Sequence, residues 1–222
     1  MIKNPVITTS NPRSPISERY RTTRSNIQFS MVDKAFKMLA FTSPSPGEGK
    51  STTIANLAVT FAQQGQKILL VDADLRKPTL HQMMEVNNRK GLTTLITKGA
   101  TAQEVIMSTK IQNLYVLPSG PIPPNPSELL GSKMMTSVME ALVKKFDLIL
   151  FDTPPVLAVT DAQVLSNRCD GVVLVSRSGQ TEKKSLVKAK ELLERAQANV
   201  IGAIINGVDV KSTEYTYYGE EK

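Results

Sequence analysis

Residues 41–53 read FTSPSPGEGKSTT and combine a glycine-rich turn with a lysine and a run of hydroxyl residues. The usual phosphate-binding loop, or P-loop, has a glycine, four residues of any type, and then Gly-Lys-Ser or Gly-Lys-Thr. Gly49, Lys50 and Ser51 supply the second half of this pattern, but Pro44 stands where the first glycine is expected. That glycine provides a turn, and a turn that contains proline can replace it. The stretch therefore still predicts a nucleotide-binding loop.

The flanking sequence supplies the strand and the helix that a P-loop requires. An apolar run at 38–43 precedes the loop, and a helical pattern at 50–64 follows it. Unsatisfied N–H groups and the dipole at a helix N-terminus attract phosphate, while lysine adds charge and a hydroxyl can bind Mg²⁺. We assign nucleotide binding to Gly47, Glu48, Gly49, Lys50, Ser51 and Thr52.

Six apolar runs alternate with helical patterns and predict an α/β fold. The runs lie at 38–43, 67–74, 113–119, 147–154, 171–177 and 199–206. The helical patterns lie at 50–64, 101–108, 132–145, 161–168 and 180–197. Several runs are continuously apolar, as strands buried on both faces are. We expect a doubly wound, mostly parallel sheet flanked by helices, the P-loop NTPase fold, with ligands beyond the carboxyl ends of the strands.

Composition and charge limit the remaining possibilities. The chain has 222 residues and suits one globular domain. We expect an extended segment at 1–15, a P-loop domain at 16–208 and a flexible, tyrosine-rich tail at 209–222. No apolar run approaches the roughly 20 residues of a membrane span, and no signal-peptide core is present, which predicts a cytoplasmic protein. The net charge of +7 is dispersed and no Trp is present, so nucleic acid is the weakest candidate partner.

Acidic residues at the ends of two predicted strands support a magnesium–nucleotide site. LILFDTPP places Asp152 after four apolar residues, the Walker B arrangement that helps to hold Mg²⁺. ILLVDADLRKP places Asp72 and Asp74 at the end of another strand. Two residues apart in an extended chain, these carboxylates would point the same way. Such a pair can bind a metal ion and accept a proton from an attacking hydroxyl.

Together these motifs resemble the bacterial tyrosine kinases, the P-loop autokinases of capsule and exopolysaccharide production. That family is known for three Walker motifs, which SPSPGEGKS, ILLVDADLR and LILFDTPP match, including the proline in place of the first glycine. ERYRTTR at 18–24 resembles the family's E-x-x-R-x-x-R element, and GPIPPNPSELL at 120–130 resembles its proline-rich segment. The resemblance runs from about Ser14 to the C-terminal tyrosines.

The resemblance implies ATP and Mg²⁺ as cofactors and a role for each polar residue of the Walker motifs. Lys50 would hold the β- and γ-phosphates, and Ser51 would join Asp74 and Asp152 around the metal ion. Asp72 would be the base that accepts the tyrosine hydroxyl proton. A phenol has an ordinary pKa of about 10, so phosphoryl transfer to it benefits from a nearby base.

The resemblance also implies roles for Arg76, Asn206 and the C-terminal tail. Arg76 would stabilise charge on the transferred phosphoryl group or on a neighbouring subunit. Asn206 ends the last predicted strand, where related ATPases contact the adenine. The tail holds a tyrosine cluster, which the resemblance implies is autophosphorylated in trans: Tyr215, Tyr217 and Tyr218.

The resemblance also implies partners. On a helix, Glu18, Arg21 and Arg24 would lie along one side, where they are either a local ion-pair stripe or, as in the family, an interface of a homo-oligomeric ring. A membrane adaptor would activate the kinase through its cytoplasmic tail and hold it at the inner face of the membrane. Protein substrates such as sugar-nucleotide enzymes and a phosphotyrosine phosphatase would be further partners.

Two alternatives stay open at the level of sequence. A partitioning or septum-positioning ATPase has the same fold but uses a second lysine early in its loop, at a position that Ser45 occupies here. An ATP-dependent assembly scaffold of the polysaccharide machinery would need no catalytic residues. The three acidic residues at the strand ends argue against a scaffold that is not also an enzyme.

Overall fold

A seven-stranded sheet forms the centre of the computed structural model, which describes residues 6–30 and 36–208. The strands are β1 (Met38–Thr42), β2 (Ile68–Asp72), β3 (Met107–Ser108), β4 (Leu114–Leu117), β5 (Leu148–Asp152), β6 (Gly171–Arg177) and β7 (Val200–Asn206). Their order across the sheet is β3-β4-β2-β5-β1-β6-β7. Only the β3–β4 pair is antiparallel among the strands of this described part. The predicted fold class is confirmed.

Helices cover both faces of the sheet. They are α1 (Ile7–Ser10), α2 (Pro15–Phe29), α3 (Lys50–Ala62), α4 (Leu80–Met83), α5 (Leu92–Ile96), α6 (Ala102–Val105), α7 (Pro126–Gly131), α8 (Lys133–Val143), α9 (Asp161–Ser166) and α10 (Lys183–Arg195). Within the described residues, no helix combines the length and the apolar composition that a membrane crossing requires.

The strands alternate their side chains between two hydrophobic cores. In β1, Leu39 and Phe41 pack with α3 on one face, and Ala40 packs into the core beneath α5 to α10 on the other. All three side chains are fully buried. A strand buried on both faces has no polar side, which is why these runs read as continuously apolar in the sequence.

Two elements differ from the predictions. The helical pattern at 101–108 contains only the single turn α6, followed by β3, a two-residue edge strand that the sequence did not indicate. Residues 6–10 belong to the segment expected to be extended, yet they include α1. Thr8 is buried there, and its N–H and Oγ1 donate to Asn56 Oδ1 of α3 at 3.0 and 2.9 Å. A side chain 48 residues away stabilises this turn.

Candidate active site

The loop between β1 and α3 borders a cavity of about 660 Å³ at the carboxyl edge of the sheet. The segments that follow β2 and β5 and the last residue of β6 complete its walls, with Asp74, Arg76, Pro155 and Arg177 among the lining residues. Parallel strands end together at this edge, which is where ligands of such sheets bind. The residues predicted to bind nucleotide, from Gly47 to Thr52, all line the cavity.

Two glycines shape the loop. Gly47 and Gly49 have φ angles of +80° and +85°, in the left-handed region that other residues rarely adopt. A Cβ on Gly49 would overlap the side-chain amide of Asn206, whereas one on Gly47 would meet nothing within 4 Å. Gly49 is also the N-cap of α3, and the first turn has neither a side-chain cap nor an acidic residue. These free backbone donors fit a phosphate group.

Lys50 and Asp152 form a buried ion pair at the base of the loop. Lys50 Nζ contacts Asp152 Oδ1 and lies 3.3 Å from Ser51 Oγ. Asp152 is fully buried, and its Oδ2 has no hydrogen-bond partner among the described residues. A carboxylate oxygen that lacks a partner beside a hydroxyl suits a hard cation or its bound water.

These residues fit Mg²⁺ only together with phosphate. The described residues contain no group of three or more His, Cys, Asp or Glu side chains that would hold a metal ion by themselves. Magnesium sites of nucleotide enzymes commonly combine one or two protein ligands with phosphate oxygens and waters. Ser51, Asp152 and Asp74 fit that type of site.

Asp72 and Asp74 have different surroundings, although both follow the apolar run of β2. Asp72 is fully buried, and its Oδ2 accepts hydrogen bonds from the N–H groups of Thr79 and Leu80 at 3.1 and 3.0 Å. Burial, together with the nearby carboxylate of Asp152, raises the pKa of Asp72 well above its ordinary value. The expectation that both carboxylates point the same way assumed an extended chain through Asp74. The strand β2 instead ends at Asp72, so this assumption does not hold.

Asp74 is the member of the pair that lines the cavity. Its Oδ1 accepts hydrogen bonds from the N–H groups of Arg76 and Lys77 at 3.3 and 3.0 Å. Burial raises the pKa of Asp74, against the opposing effect of the Lys77 N–H. These two hydrogen bonds stabilise a turn in the segment after β2.

The match to known proteins extends over nearly the whole chain. A family model of the AAA domain matches residues 36–200. The chain is 51% identical to the tyrosine-protein kinase YwqD of Bacillus subtilis (strain 168), over 96% of this chain and 91% of that protein. The chain belongs to the bacterial tyrosine kinases. The predicted family is confirmed, and the chain is a protein-tyrosine kinase.

Solved structures agree with this assignment. The chimerical protein CapA2B2 matches the kinase with a TM-score of 0.88 and 44% identity, over 91% of this chain and 89% of that one. The kinase domain of Escherichia coli tyrosine kinase ETK gives a TM-score of 0.90 and 33% identity, over 97% and 84%. The septum site-determining protein MinD of Pyrococcus horikoshii, complexed with Mg-ADP, gives 0.65 and 26%, over 76% and 69%. The septum-positioning alternative is thus the more distant match.

In the kinase, Arg76 forms an ion pair with Asp161, which the sequence did not suggest. Its Nε and Nη2 donate to Asp161 Oδ2 and Oδ1 at 2.9 and 3.0 Å. Asp161 is the first residue of α9 and is fully buried, while Arg76 lines the cavity. This bidentate pair fixes the guanidinium at the cavity wall. In the sequence, Asp161 is recognisable only as an acidic residue at the start of a predicted helix, which does not indicate a role in the site.

Donors from β6 and β7 hold the carbonyl groups of the kinase's P-loop. Arg177 Nη1 donates to Gly47 O at 3.3 Å, and Asn206 Nδ2 donates to Glu48 O at 3.1 Å. Asn206 Oδ1 in turn accepts from the N–H of Gly207 at 2.9 Å. Asn206 thus contacts the loop, and its expected contact with adenine stays a prediction. Arg177 was missed, although its place at the end of an apolar run predicts the carboxyl edge of the sheet.

The remaining predicted residues of the kinase lie elsewhere. On α2, Glu18 and Arg21 form an ion pair, and Arg21 Nη2 also donates to Pro12 O at 2.7 Å. Arg24 Nη1 donates to Thr60 O of α3 at 2.9 Å, so it anchors α2 within its own chain. The use of this stripe as a subunit interface stays a prediction. The three tail tyrosines lie outside the described residues: Tyr215, Tyr217 and Tyr218.

Proposed function

We propose that this kinase transfers the γ-phosphoryl group of ATP to the C-terminal tyrosines of a neighbouring copy: Tyr215, Tyr217 and Tyr218. The observation that carries the proposal is that the phosphate-binding loop and the acidic segment after β2 line the same cavity. One wall provides phosphate donors, and the other provides the carboxylate of Asp74, with Asp72 fully buried two residues before it.

The proposed transfer begins with the phenol oxygen of tyrosine. It attacks the γ-phosphorus, the bond from that phosphorus to the β–γ bridging oxygen breaks, and ADP leaves. Asp72 takes the phenol proton: its raised pKa makes it a stronger base when ionised, and its Oδ1 has no hydrogen-bond partner among the described residues. Lys50 and the α3 N-terminus hold the phosphates. Mg²⁺, held by Ser51 with Asp74 and Asp152, would neutralise charge on the β- and γ-oxygens.

Partners and location extend the same proposal. The resemblance to capsule and exopolysaccharide kinases supports a role in the synthesis and export of such polymers. The match to CapA2B2, a chimera, supports a second polypeptide that binds next to this fold. We infer that a membrane adaptor fills this role through its cytoplasmic tail and brings the kinase to the inner face of the membrane. Glu18, Arg21 and Arg24 would then belong to a ring interface.

Intact-mass measurement tests the central claim. The purified chain is incubated with ATP and Mg²⁺, with and without a peptide from the adaptor's cytoplasmic tail. Stepwise additions of phosphate are expected in the wild type and are expected to be absent from Lys50→Met. A variant with all three tail tyrosines changed to Phe separates tail phosphorylation from modification elsewhere. ATP turnover without any phosphate on the protein would instead favour the septum-positioning type of ATPase.

A further inference from the structure

A buried carboxylate lies inside the phosphate-binding loop. Glu48 stands between the two glycines of the loop and is only 3% exposed. Its Oε1 accepts a hydrogen bond from Thr181 Oγ1 at 2.7 Å, and its Oε2 has no hydrogen-bond partner among the described residues. A buried carboxylate with so few partners is unfavourable in itself. It is also a negative charge in a loop that we propose receives phosphates.

The hydroxyl of Thr181 is oriented by a second hydrogen bond. The N–H of Arg177 donates to Thr181 Oγ1 at 2.7 Å, across the turn between β6 and α10. Because the oxygen accepts from Arg177, its own hydrogen is directed at Glu48. Thr181 thus links the carboxylate to the end of β6.

Glu48 borders two cavities. One is the main cavity, and the other is a smaller cavity of about 340 Å³ that Gln180, Thr181 and Ser185 also line. The loop backbone is held separately, since Asn206 bonds the Glu48 carbonyl. The Thr181 hydroxyl therefore positions the side chain of Glu48, whereas Asn206 positions its backbone.

We propose that Thr181 is a positioning residue for ATP binding, which holds the Glu48 carboxylate against the turn after β6 and away from the phosphates. The inference rests on the proposed binding of ATP at this loop. Without the hydroxyl, the carboxylate is free to turn toward the main cavity, where it repels the phosphate groups. The charge of Glu48 is what makes the loss of Thr181 costly.

Thr181→Val removes the donor and keeps the shape, and Thr181→Ser keeps the donor. The Kd of a fluorescent ATP analogue with Mg²⁺, and the KM for ATP and kcat of autophosphorylation, are measured for each. We expect Kd and KM to rise about tenfold in Thr181→Val, with a smaller change in kcat, and to return close to wild type in Thr181→Ser. Ser185→Ala, in the same small cavity, is the matched control.

A double-mutant cycle separates this role from a merely structural one. In a Glu48→Gln background, Thr181→Val should change Kd less than twofold, because the repelling charge is gone. A full tenfold loss in that background, or an unchanged Kd for Thr181→Val in the wild type, would overturn the inference. Thr181→Ala repeats the test should the valine variant fail to fold, as judged by its thermal unfolding. A wild-type chain that binds no ATP analogue would instead overturn the proposed nucleotide site and, with it, the role of Thr181.

Discussion

Asp72 and Asp152 are paired in register on the adjacent parallel strands β2 and β5, and both are fully buried. They differ in their partners: Lys50 neutralises Asp152, while two backbone N–H groups hold one oxygen of Asp72. The two strand ends therefore place two acids side by side, and Lys50 at the start of α3 contacts one of them. The balance of charge among these three residues underlies the first two predictions.

Asp72→Asn should stabilise the fold while it abolishes phosphoryl transfer. The folded pKa of Asp72 is raised, so the folded state binds more protons than the unfolded state, and stability is lost as pH rises from about 3.9 through the raised value. Asparagine does not titrate, and its oxygen can still accept from Thr79 and Leu80. We expect a Tm gain at pH 8 of about 2–4 °C, which is about 1 kcal/mol, and a smaller gain at pH 5. An equal gain at both pH values would contradict the charge argument.

Lys50→Met should destabilise the fold as well as remove activity. It leaves the buried Asp152 carboxylate without its cation, and breaking a buried pair in this way costs about 3–5 kcal/mol. Urea unfolding of the nucleotide-free protein gives the free energy of unfolding. Adding Asp152→Asn should restore most of the lost stability but none of the activity. Recovery of both together would show that Lys50 serves only to hold the fold.

Asp161→Asn should lower kcat more than it changes the KM for ATP. It removes the charge that holds the Arg76 guanidinium in a bidentate pair at the cavity wall. We expect a loss of about tenfold in kcat, measured by autophosphorylation at saturating ATP. Arg76→Lys, which keeps the charge but loses the paired geometry, should behave similarly. A rise in KM alone would point to a role in nucleotide binding instead.

Gly49→Ala should impair nucleotide binding more than Gly47→Ala does. Both positions have positive φ, so both variants carry backbone strain of roughly 1–2 kcal/mol. Only the new Cβ at position 49 also overlaps the amide of Asn206. The Kd of an ATP analogue compares the two variants. Asn206→Ala in the Gly49→Ala background should recover part of the lost affinity, and no recovery would show that strain alone is responsible.

Phosphorylation of the tail should shift the oligomer toward smaller species. Each phosphate adds about −1.5 to −2 charges, so three would add about −5 to a segment that we propose enters a site with carboxylates and ATP phosphates. Light scattering coupled to gel filtration, before and after incubation with ATP, measures the mass. The variant with Tyr215, Tyr217 and Tyr218 changed to Phe should keep its mass after the same incubation.

The sequence predicts which strand ends and loop form the site better than it predicts the side-chain pairs within the site. Apolar runs locate six strands, and a parallel sheet gathers their carboxyl ends, which is why Asp72, Asp152 and the loop come together as expected. The pairing of Arg76 with Asp161 spans 85 residues, and that of Thr181 with Glu48 spans 133. No local periodicity encodes such pairs, because packing of the whole chain brings them together.

Helix α3 connects the phosphate-binding loop to helix α2. Its first residue, Lys50, lies at the phosphate loop, and Thr60, near its other end, accepts from Arg24 of α2. Thirteen residues of helix form a rod about 20 Å long. If α2 contacts a neighbouring subunit, a shift of that contact moves the rod and the loop together. Assembly and nucleotide affinity would then be reciprocal: each would change the other by the same factor.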